Sequence, residues 1–490
     1  MLILILKIQL TQEVGKMTKS VVLNTNVNSN RHNSAFTIVE LLVVIVVIGI
    51  LASITIVSYT GVSSKAVVAA LQSDLSNAAN QLKQYLVINS AYPTAIDCSA
   101  SPAVNTICLK TSSGNTFTYV PNNSTNPPTF SLIDANSGGV SYVITDKTAP
   151  VVTVPHTGVL AALGTPTIVT GINPRSLVIS ADGTSVYVTN RDGSSVSMYG
   201  RNAGTGALTA LATPTIAAGT YTAGLVISAD GTSVYATNIG NNNISMYSRN
   251  TITGALTALA TPTIAAGWNP MDITISADGI SVYAPNYSDN NVSMYSRNTI
   301  TGALTALATP TIAAGTNPSG ITMSADGASV YVTNRSVNTI SMYSRNISTG
   351  ALTALATPTI AAGTGPYSIT ISADGTSVYA TNYDGASISM YSRNTGNGAL
   401  TALATPTIAA GTNPQGIAIS ADGASVYAAV YNSSAIYLYN RNTSTGALTA
   451  MATPTIAAMT GPYGIAISPD GNSVYSTNAG SNNISMYNRN

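Results

Sequence analysis

The stretch Ser319–Leu355, SGITMSADGASVYVTNRSVNTISMYSRNISTGALTAL, decides the fold, because it contains four short apolar runs separated by turns. The runs GITMS, SVYVTN, TISMYS and GALTAL have strand character, and Gly, Asn, Asp and Ser lie between them. Four such strands in succession predict an antiparallel meander, the form of one blade of a β-propeller.

The same unit recurs along the chain at a constant period of 48 residues. Its Ala-Asp-Gly tripeptide begins at Ala181, Ala229, Ala277, Ala325, Ala373 and Ala421, and Pro-Asp-Gly follows at Pro469. A strand-rich repeat of about 40–50 residues is typical of propeller blades. We therefore predict a mainly β chain whose residues 157–490 form a seven-bladed ring. A solenoid is the alternative, but it would need capping units.

The two ends of the repeat array differ in a way that favours ring closure. The chain stops after the third strand of the last unit, whereas Thr157–Leu160 copies the start of a fourth strand. We expect the two ends to complete one shared blade, which would leave no unpaired sheet edge inside the ring.

The composition argues against several classes of function. Only 7% of the residues are charged and the formal net charge is +1, so nucleic-acid binding through phosphate contacts is not expected. From residue 157 onwards the charged residues are 11 Asp and 10 Arg, without Glu, His or Lys, and there is no Cys. This set is a poor one for acid–base catalysis. We predict a protein that is not an enzyme and that has no cofactor.

Two charged residues are repeated in every unit, an Asp in the turn after strand one and an Arg at the end of strand three. Because one active site does not need seven identical copies, we interpret both as structural. They are Asp182, Asp230, Asp278, Asp326, Asp374, Asp422 and Asp470, with Arg201, Arg249, Arg297, Arg345, Arg393, Arg441 and Arg489.

Differences between the units are concentrated in two loops, one before strand one and one after strand two. In an up-and-down meander both loops lie on the same face of the ring, which we call the variable face. We predict that this face binds a carbohydrate or a partner protein by aromatic stacking; loops that vary without selection are the alternative. The predicted ligand-binding residues are Arg175, Arg191, Trp268, Tyr287, Arg335, Tyr367, Tyr383, Tyr431 and Tyr463.

The N-terminal part contains one long apolar run. Phe36 to Val57 comprises 22 residues, of which only Glu40 can ionise, and ~20 apolar residues suffice to cross a bilayer. The basic residues before it place that end in the cytoplasm and the rest of the chain outside. A secretory signal peptide is the alternative, but its apolar core is shorter, about 7–15 residues. Helical periodicity continues through residues 63–85, which predicts one long helix.

The segment Ser34–Ile54, SAFTIVELLVVIVVIGILASI, resembles the N-terminal methylation motif of type IV pilins and type II secretion pseudopilins. The resemblance implies that a prepilin peptidase cuts between Ala35 and Phe36 and methylates the new amine. It also implies that Glu40 pairs with the N-terminal amine of a neighbouring subunit in a filament. Ala35 stands where Gly is usual, and Val57 where many pilins have a helix-kinking Pro.

Cys98 and Cys108 are the only cysteines of the chain. They lie close together beyond the apolar segment, which predicts a disulfide; two unpaired thiols are the alternative. A metal site is not expected, because no nearby His or third Cys would complete the coordination. The short strands that follow the helix, up to residue 146, fit the small antiparallel sheet of a pilin.

The repeat itself resembles that of surface-layer and lactonase-like propellers. SADGTSVYVTN at Ser180–Asn190 and SPDGNSVYSTN at Ser468–Asn478 carry the resemblance, which covers residues 157–490. It specifies the fold better than the function, because propellers carry many unrelated activities.

Together these features predict five segments: a prepilin leader at 1–35, the membrane-spanning half of a helix at 36–59, a pilin-like globular part at 60–146, a linker at 147–156 and the propeller at 157–490. Met17 begins a shorter, more typical leader than Met1. We expect a single-pass membrane protein, in the inner membrane before assembly and on the pilus or cell surface afterwards. Its expected partners are prepilin peptidase, other pilin or pseudopilin subunits and a surface ligand. Its expected function is that of a minor pilin in adhesion. A membrane-tethered lactonase-like enzyme and a purely structural pseudopilin are the alternatives.

Overall fold

The computed structural model describes residues 70–71, 73–99, 104–123, 129–136, 141–145, 151–152 and 157–490. The predicted leader, the cleavage site at Ala35 and Phe36, Glu40 and the predicted membrane span lie outside the described residues. Among the helical residues that are described, none belongs to a helix long and apolar enough to cross a membrane.

The described part before the propeller consists of one helix and six short strands. The helix covers residues 70–89, with residue 72 outside the description. Ala95–Ile96 and Thr106–Ile107 form a parallel pair, and a four-stranded antiparallel sheet follows in chain order. Its strands are Asn115–Asn122, Thr129–Asn136, Ser141–Thr145 and Val151–Val152. The last of these falls in the segment that the sequence predicts to be a linker.

The helix packs on this sheet through side chains that recur three or four residues apart. Leu71, Leu75 and Leu82 are buried against Phe130 and Leu132 of the second strand of the sheet. This spacing places them on one side of the helix, so that a single apolar stripe faces the sheet. A disulfide joins Cys98 to Cys108 just beyond the parallel pair of strands.

Residues 157–490 form seven four-stranded antiparallel sheets, the blades of a propeller. The predicted seven-bladed, mainly β architecture is confirmed. Blades are numbered here in chain order, and within each blade the first strand is innermost. Blades 1 to 3 comprise Pro174–Ile179, Ser185–Asn190, Ser195–Arg201 and Leu208–Ala217; Thr222–Ile227, Ser233–Asn238, Asn243–Arg249 and Leu256–Ala265; and Thr274–Ile275, Ser281–Asn286, Asn291–Arg297 and Leu304–Ala313.

Blades 4 to 6 have the same four-stranded form. They comprise Pro318–Met323, Ser329–Asn334, Thr339–Arg345 and Leu352–Ala361; Pro366–Ile371, Ser377–Asn382, Ser387–Arg393 and Leu400–Ala409; and Pro414–Ile419, Ser425–Val430, Ala435–Arg441 and Leu448–Ala457. Blade 7 takes Pro462–Ile467, Ser473–Asn478 and Asn483–Arg489 from the C-terminal end and Leu160–Val169 from the start of the array.

Ring closure follows the predicted scheme. Ile484 and Arg489 of the third strand of blade 7 lie opposite Ile168 and Leu160 of its fourth strand. Beyond this ladder, the backbone N–H of Asn490 donates to the carbonyl oxygen of Val159 at 2.9 Å. The two ends of the propeller are therefore joined by backbone hydrogen bonds.

The outermost strand is longer than the sequence predicts. In blade 4 the run GALTAL was expected to end near Leu355, whereas the strand extends to Ala361. Its pairing with the third strand shifts register between Ser341 and Tyr343, so that residues 355–358 form a bulge. Pro358 lies in this bulge, where a missing N–H breaks no ladder bond. Bulge and proline also make this outer edge a poor template for pairing with another strand.

The core lies between adjacent blades as a series of equivalent clusters. Between blades 4 and 5, for example, Tyr331 and Met342 pack against Ile369, Val378 and Tyr391. Strand two of every blade is buried along its whole length. Each blade therefore buries its apolar faces only when its neighbours are present.

A ring of ion pairs between a buried Arg and a partly exposed Asp, the arginine clasp, connects the blades on the face opposite to the variable face. Each repeated Arg is almost fully buried and contacts the turn Asp of the preceding blade. The pairs are Arg201–Asp470, Arg249–Asp182, Arg297–Asp230, Arg345–Asp278, Arg393–Asp326, Arg441–Asp374 and Arg489–Asp422. The sevenfold Asp and Arg thus stabilise the assembly of the blades.

Arg297 illustrates the geometry of the clasp. Its Nε donates to the hydroxyl of Tyr235 in the preceding blade at 3.0 Å, and its Nη2 donates to Asp230 at 2.9 Å. The Tyr235 hydroxyl in turn donates to the carbonyl oxygen of Gly302 at 2.6 Å. Gly302 has a φ of +74°, and a Cβ there would lie 2.6 Å from the Oγ of Ser233. A larger residue would push the blades apart, which explains the glycine in this turn.

Candidate functional site

The innermost strands surround an axial cavity of about 540 Å³. The third residue of the innermost strand, or its equivalent in blade 3, lines the cavity in all seven blades. These residues are Ser176, Gly224, Asp272, Gly320, Ser368, Gly416 and Gly464. Loop residues of the variable face complete the wall. The repeat therefore brings one position of every unit to a common axis.

The cavity gathers most of the predicted ligand-binding residues. Arg175, Arg191, Tyr287, Arg335, Tyr367 and Tyr463 all line it. Trp268, Tyr383 and Tyr431 are not among the lining residues. The Trp268 side chain is 67% exposed, the Tyr383 ring lies 6.0 Å from that of Tyr367, and Tyr431 lies beside Gly461.

The three cavity arginines each lie over tyrosine rings. The distances from guanidinium carbon to ring centroid are 4.1 Å for Arg175 and Tyr463, 4.6 Å for Arg191 and Tyr221, 4.6 Å for Arg335 and Tyr383, and 5.8 Å for Arg335 and Tyr367. Such cation–π contacts hold the guanidinium planes in place while leaving their edges free to donate hydrogen bonds.

Two tyrosines link parts of the cavity wall that belong to non-adjacent blades. The hydroxyl groups of Tyr367 in blade 5 and Tyr463 in blade 7 are hydrogen-bonded to each other, and their rings meet edge to face at 6.1 Å. Burial, together with the nearby Tyr463, raises the pKa of Tyr367 well above 10. Tyr367 is therefore neutral at physiological pH.

The cavity arginines differ in how their charges are compensated. Arg191 forms an ion pair with Asp192 at 3.0 Å, and Arg335 one with Asp384 at 3.6 Å. Arg175 has no ion pair within the described residues, and its buried Nε has no hydrogen-bond partner among them. Within the part of the chain that the structure describes, Arg175 is thus the one cavity guanidinium without an ion-pair partner.

Asp272 is the one charged lining residue that the predicted ligand-binding set lacks. Its Oδ1 accepts a hydrogen bond from the N–H of Ile273 at 2.9 Å, and its Oδ2 accepts one from Ile321 of blade 4 at 3.1 Å. Burial raises the pKa of Asp272 to about 6, although these hydrogen bonds oppose the shift. The cavity therefore holds a carboxyl group that titrates close to neutral pH.

The reason for this arrangement lies in blade 3. In blade 4, Thr333 accepts a hydrogen bond from the N–H of Gly320 and donates one to the carbonyl oxygen of Tyr367, both at 2.8 Å. Blade 3 has Pro285 in place of this threonine, and its innermost strand shrinks to Thr274–Ile275. Asp272 supplies a different link to the next blade. The sequence contains one signal that could have identified Asp272: unit 3 alone has an acidic residue at this position.

No group of three His, Cys, Asp or Glu side chains within the described ranges could hold a metal ion. The chemistry that the cavity offers is therefore that of guanidinium, carboxyl, hydroxyl and amide groups. Such a set can bind an anionic or hydroxyl-rich molecule.

Two family models match the chain. A model of the seven-bladed lactonase β-propeller matches residues 146–219, 210–316 and 305–413, which together span more than half of the chain. A model of the prokaryotic N-terminal methylation motif matches residues 30–56. No curated protein matches the sequence.

Several solved structures are similar in fold. A protein of Bacteroides fragilis described as a 6-phosphogluconolactonase is 20% identical, with a TM-score of 0.53 over 74% of this chain and 99% of that one. The periplasmic gluconolactonase of Pseudomonas aeruginosa is 18% identical, with a TM-score of 0.51 over 68% and 93%. Hydrazine synthase of Kuenenia stuttgartiensis is 17% identical, with a TM-score of 0.50 over 67% and 99%. Such identities establish a common fold and do not transfer an activity.

Proposed function

Since the chain belongs to the family of seven-bladed lactonase-type propellers and carries an N-terminal methylation motif, we propose that it is a pilin-like protein that displays a ligand-binding propeller on the cell surface. The motif implies processing by prepilin peptidase and assembly with other pilin-type subunits. In this proposal, Glu40 pairs with a neighbouring subunit and the propeller is carried outward as an adhesin of low abundance.

The observation that carries the binding role is the contrast between the blades and the variable face. The blades repeat the same strands, turns and clasp, yet arginines and tyrosines that occur in only some of the units meet at the axial cavity. A purely structural spacer would not need this concentration of differing residues.

A lactonase is the second candidate, because the family and the Pseudomonas aeruginosa neighbour carry that name. Lactone hydrolysis needs a general base that can reach a water molecule. Asp272 is the one carboxyl group among the lining residues, and both of its oxygens accept backbone hydrogen bonds. These contacts favour binding over hydrolysis. Hydrolysis of a lactone by the purified protein would instead support the enzymatic function.

Mass spectrometry of the mature N-terminus tests the pilin-like part of the proposal. In cells that contain prepilin peptidase, we expect a chain that begins with N-methylated Phe36. The substitution Ala35→Gly should increase the processed fraction, because Gly is the usual residue at that position in the family. An intact leader in both proteins would contradict the assignment and leave a membrane-tethered propeller.

Cell adhesion tests the binding role. We expect the triple variant Trp268→Ala, Tyr287→Ala, Tyr383→Ala to lose most adhesion, because stacking surfaces on the variable face disappear. The matched control is Ile252→Ala, Ile300→Ala, Ile347→Ala, which removes three exposed apolar side chains from the opposite face. Equal adhesion by the two variants, at equal surface amounts, would contradict the variable face as the binding surface.

A further inference from the structure

We propose that the ligand of the axial cavity is an acidic sugar, and that Arg175 binds its single carboxylate. The inference rests on the proposed ligand-binding role of the variable face. It adds the chemical class of the ligand and the residue that selects it.

The charges of the cavity favour a ligand with one negative charge. Asp192 and Asp384 compensate Arg191 and Arg335. Arg175 has no ion-pair partner within the described residues. It therefore contributes one positive charge that Asp272 leaves unbalanced when protonated and offsets when ionised. A phosphate monoester carries about −1.5 to −2 charges at neutral pH, which exceeds what this cavity can neutralise. The single negative charge of a carboxylate matches the charge that the cavity offers.

The environment of Arg175 leaves its donors available. A guanidinium has five N–H donors in a planar fork that fits both oxygens of a carboxylate. The Tyr463 ring covers one face of this plane at 4.1 Å. The Nε is buried and has no partner within the described residues, so the terminal N–H groups are the donors that can reach a ligand. Arg297 of the clasp differs, because both Nε and Nη2 donate to side chains of the preceding blade. Arg175 is therefore held in position without being saturated.

The rest of the wall suits a hydroxyl-rich molecule. Ser176 and Ser368 offer hydroxyl groups. The Tyr367 hydroxyl is shared with that of Tyr463, and the Asn269 amide, which contacts Ile239 and Ser288, keeps one further N–H. The ring of Tyr287 provides an apolar surface for the C–H groups of a sugar. A cavity of about 540 Å³ lies within the range of small-molecule sites, about 300–1,000 Å³. A uronic acid or the acidic end of an oligosaccharide has this combination of groups.

Asp272 makes the affinity depend on pH. An anion in the cavity repels ionised Asp272 and thus favours its protonated form. Because the pKa of Asp272 is about 6, we expect binding to tighten as pH falls from 7.5 to 5.5. The other charged and titratable residues that line the cavity are Arg175, Arg191, Tyr287, Arg335, Tyr367 and Tyr463.

Calorimetric titration of the full chain with methyl β-D-glucuronide tests the inference, with methyl β-D-glucoside and glucose 6-phosphate as comparison ligands. We expect the glucuronide to bind at least about tenfold more tightly than either, because it alone offers one carboxylate to Arg175. Equal affinity for glucoside and glucuronide would overturn the acidic-sugar inference.

Arg175→Met should weaken glucuronide binding by about ten- to hundredfold, with little change for the glucoside. Ile252→Ala on the opposite face is the control, and thermal unfolding verifies that the variants fold. If Arg175→Met does not fold, Arg175→Gln replaces it and should show the same selective loss. Undiminished glucuronide binding by a folded Arg175 variant would overturn the role of this residue.

Asp272→Asn separates the effect of charge from that of structure. The amide oxygen can still accept the hydrogen bond from Ile321, while the ionisable group is lost. We expect glucuronide affinity that no longer changes between pH 7.5 and 5.5 and that matches the low-pH affinity of the parent protein. If the glucuronide affinity of the parent protein does not change with pH, the coupling between Asp272 and the ligand is wrong. If no sugar binds but adhesion still requires the Trp268 surface, the acidic-sugar inference fails and the proposed function stands.

Discussion

Deletion of residues 160–169 is expected to prevent the propeller from closing, with the loss of a cooperative unfolding transition. The deletion removes the fourth strand of blade 7 and leaves Asn483–Arg489 as an unpaired edge. It also removes Leu160, which is 5% exposed in the cluster between blades 6 and 7, and Ile168. Each large buried aliphatic side chain contributes about 2–5 kcal/mol. Together with the lost ladder, this approaches the whole stability of an ordinary domain, about 5–15 kcal/mol.

Calorimetric or fluorescence-monitored thermal unfolding would measure this effect, with size-exclusion chromatography to detect pairing of the exposed edges. The matched control replaces residues 160–169, LAALGTPTIV, by LTALATPTIA, the outer strand of blade 2. Because the strand pairing and Leu160 are kept, we expect this chimera to unfold within about 1 kcal/mol of the parent. A deletion variant that unfolds as one monomeric unit at the parent temperature would contradict the closure argument.

The architecture of the propeller was predictable because its signals are local and repeated. Each unit carries its own strands and turns, and the position of Thr157–Leu160 was enough to indicate how the ring closes. The length of the outer strand was not predictable in the same way. A proline interrupts the N–H pattern of a strand, but the bulge around Pro358 lets this strand continue.

The sequence also could not show which repeated Asp pairs with which repeated Arg. Their structural role follows from their number, but each Arg pairs with the Asp of the preceding blade, 67 residues away in the chain for Arg297 and Asp230. A perfect repeat contains no information on whether such a pair forms within a unit or between units. Only the packing of one blade on the next determines it.

The candidate site was predictable where sequence differences between the seven units mark it. Six of the nine predicted residues line the cavity, because the topology brings the variable loops to one face. Asp272 was left out of the predicted ligand-binding set because its role depends on Pro285, which removes the threonine link at a neighbouring position in the sheet. Trp268 was included because it is aromatic, but the orientation of its side chain depends on the backbone conformation of the loop.

Arg297→Met is expected to destabilise the propeller by about 2–4 kcal/mol. The substitution keeps an apolar stem of similar length but removes the hydrogen bonds to Tyr235 and Asp230, and loss of charged hydrogen bonds at a buried site has this magnitude. Asp230 is still 40% exposed and keeps its contacts with Ser228 and Thr232, which limits the loss. Chemical denaturation at pH 7 would measure the change, and Arg191→Met is the matched control. The Arg191 side chain is 34% exposed beside Asp192, so its loss should cost at most about 1 kcal/mol.

The contribution of the clasp should also disappear in acid. Burial alone would raise the pKa of Asp230, but hydrogen bonds from Ser228, Thr232 and Arg297 lower it to about 2. A carboxyl group with a lowered pKa stabilises the folded state above its unfolded pKa, about 3.9, and this contribution is lost as pH falls towards 2. The difference in unfolding free energy between the parent and Arg297→Met should therefore shrink between pH 4 and pH 2. A difference that stays constant over this interval would mean that Arg297 stabilises the ring through its contact with Tyr235 rather than through the charge of Asp230.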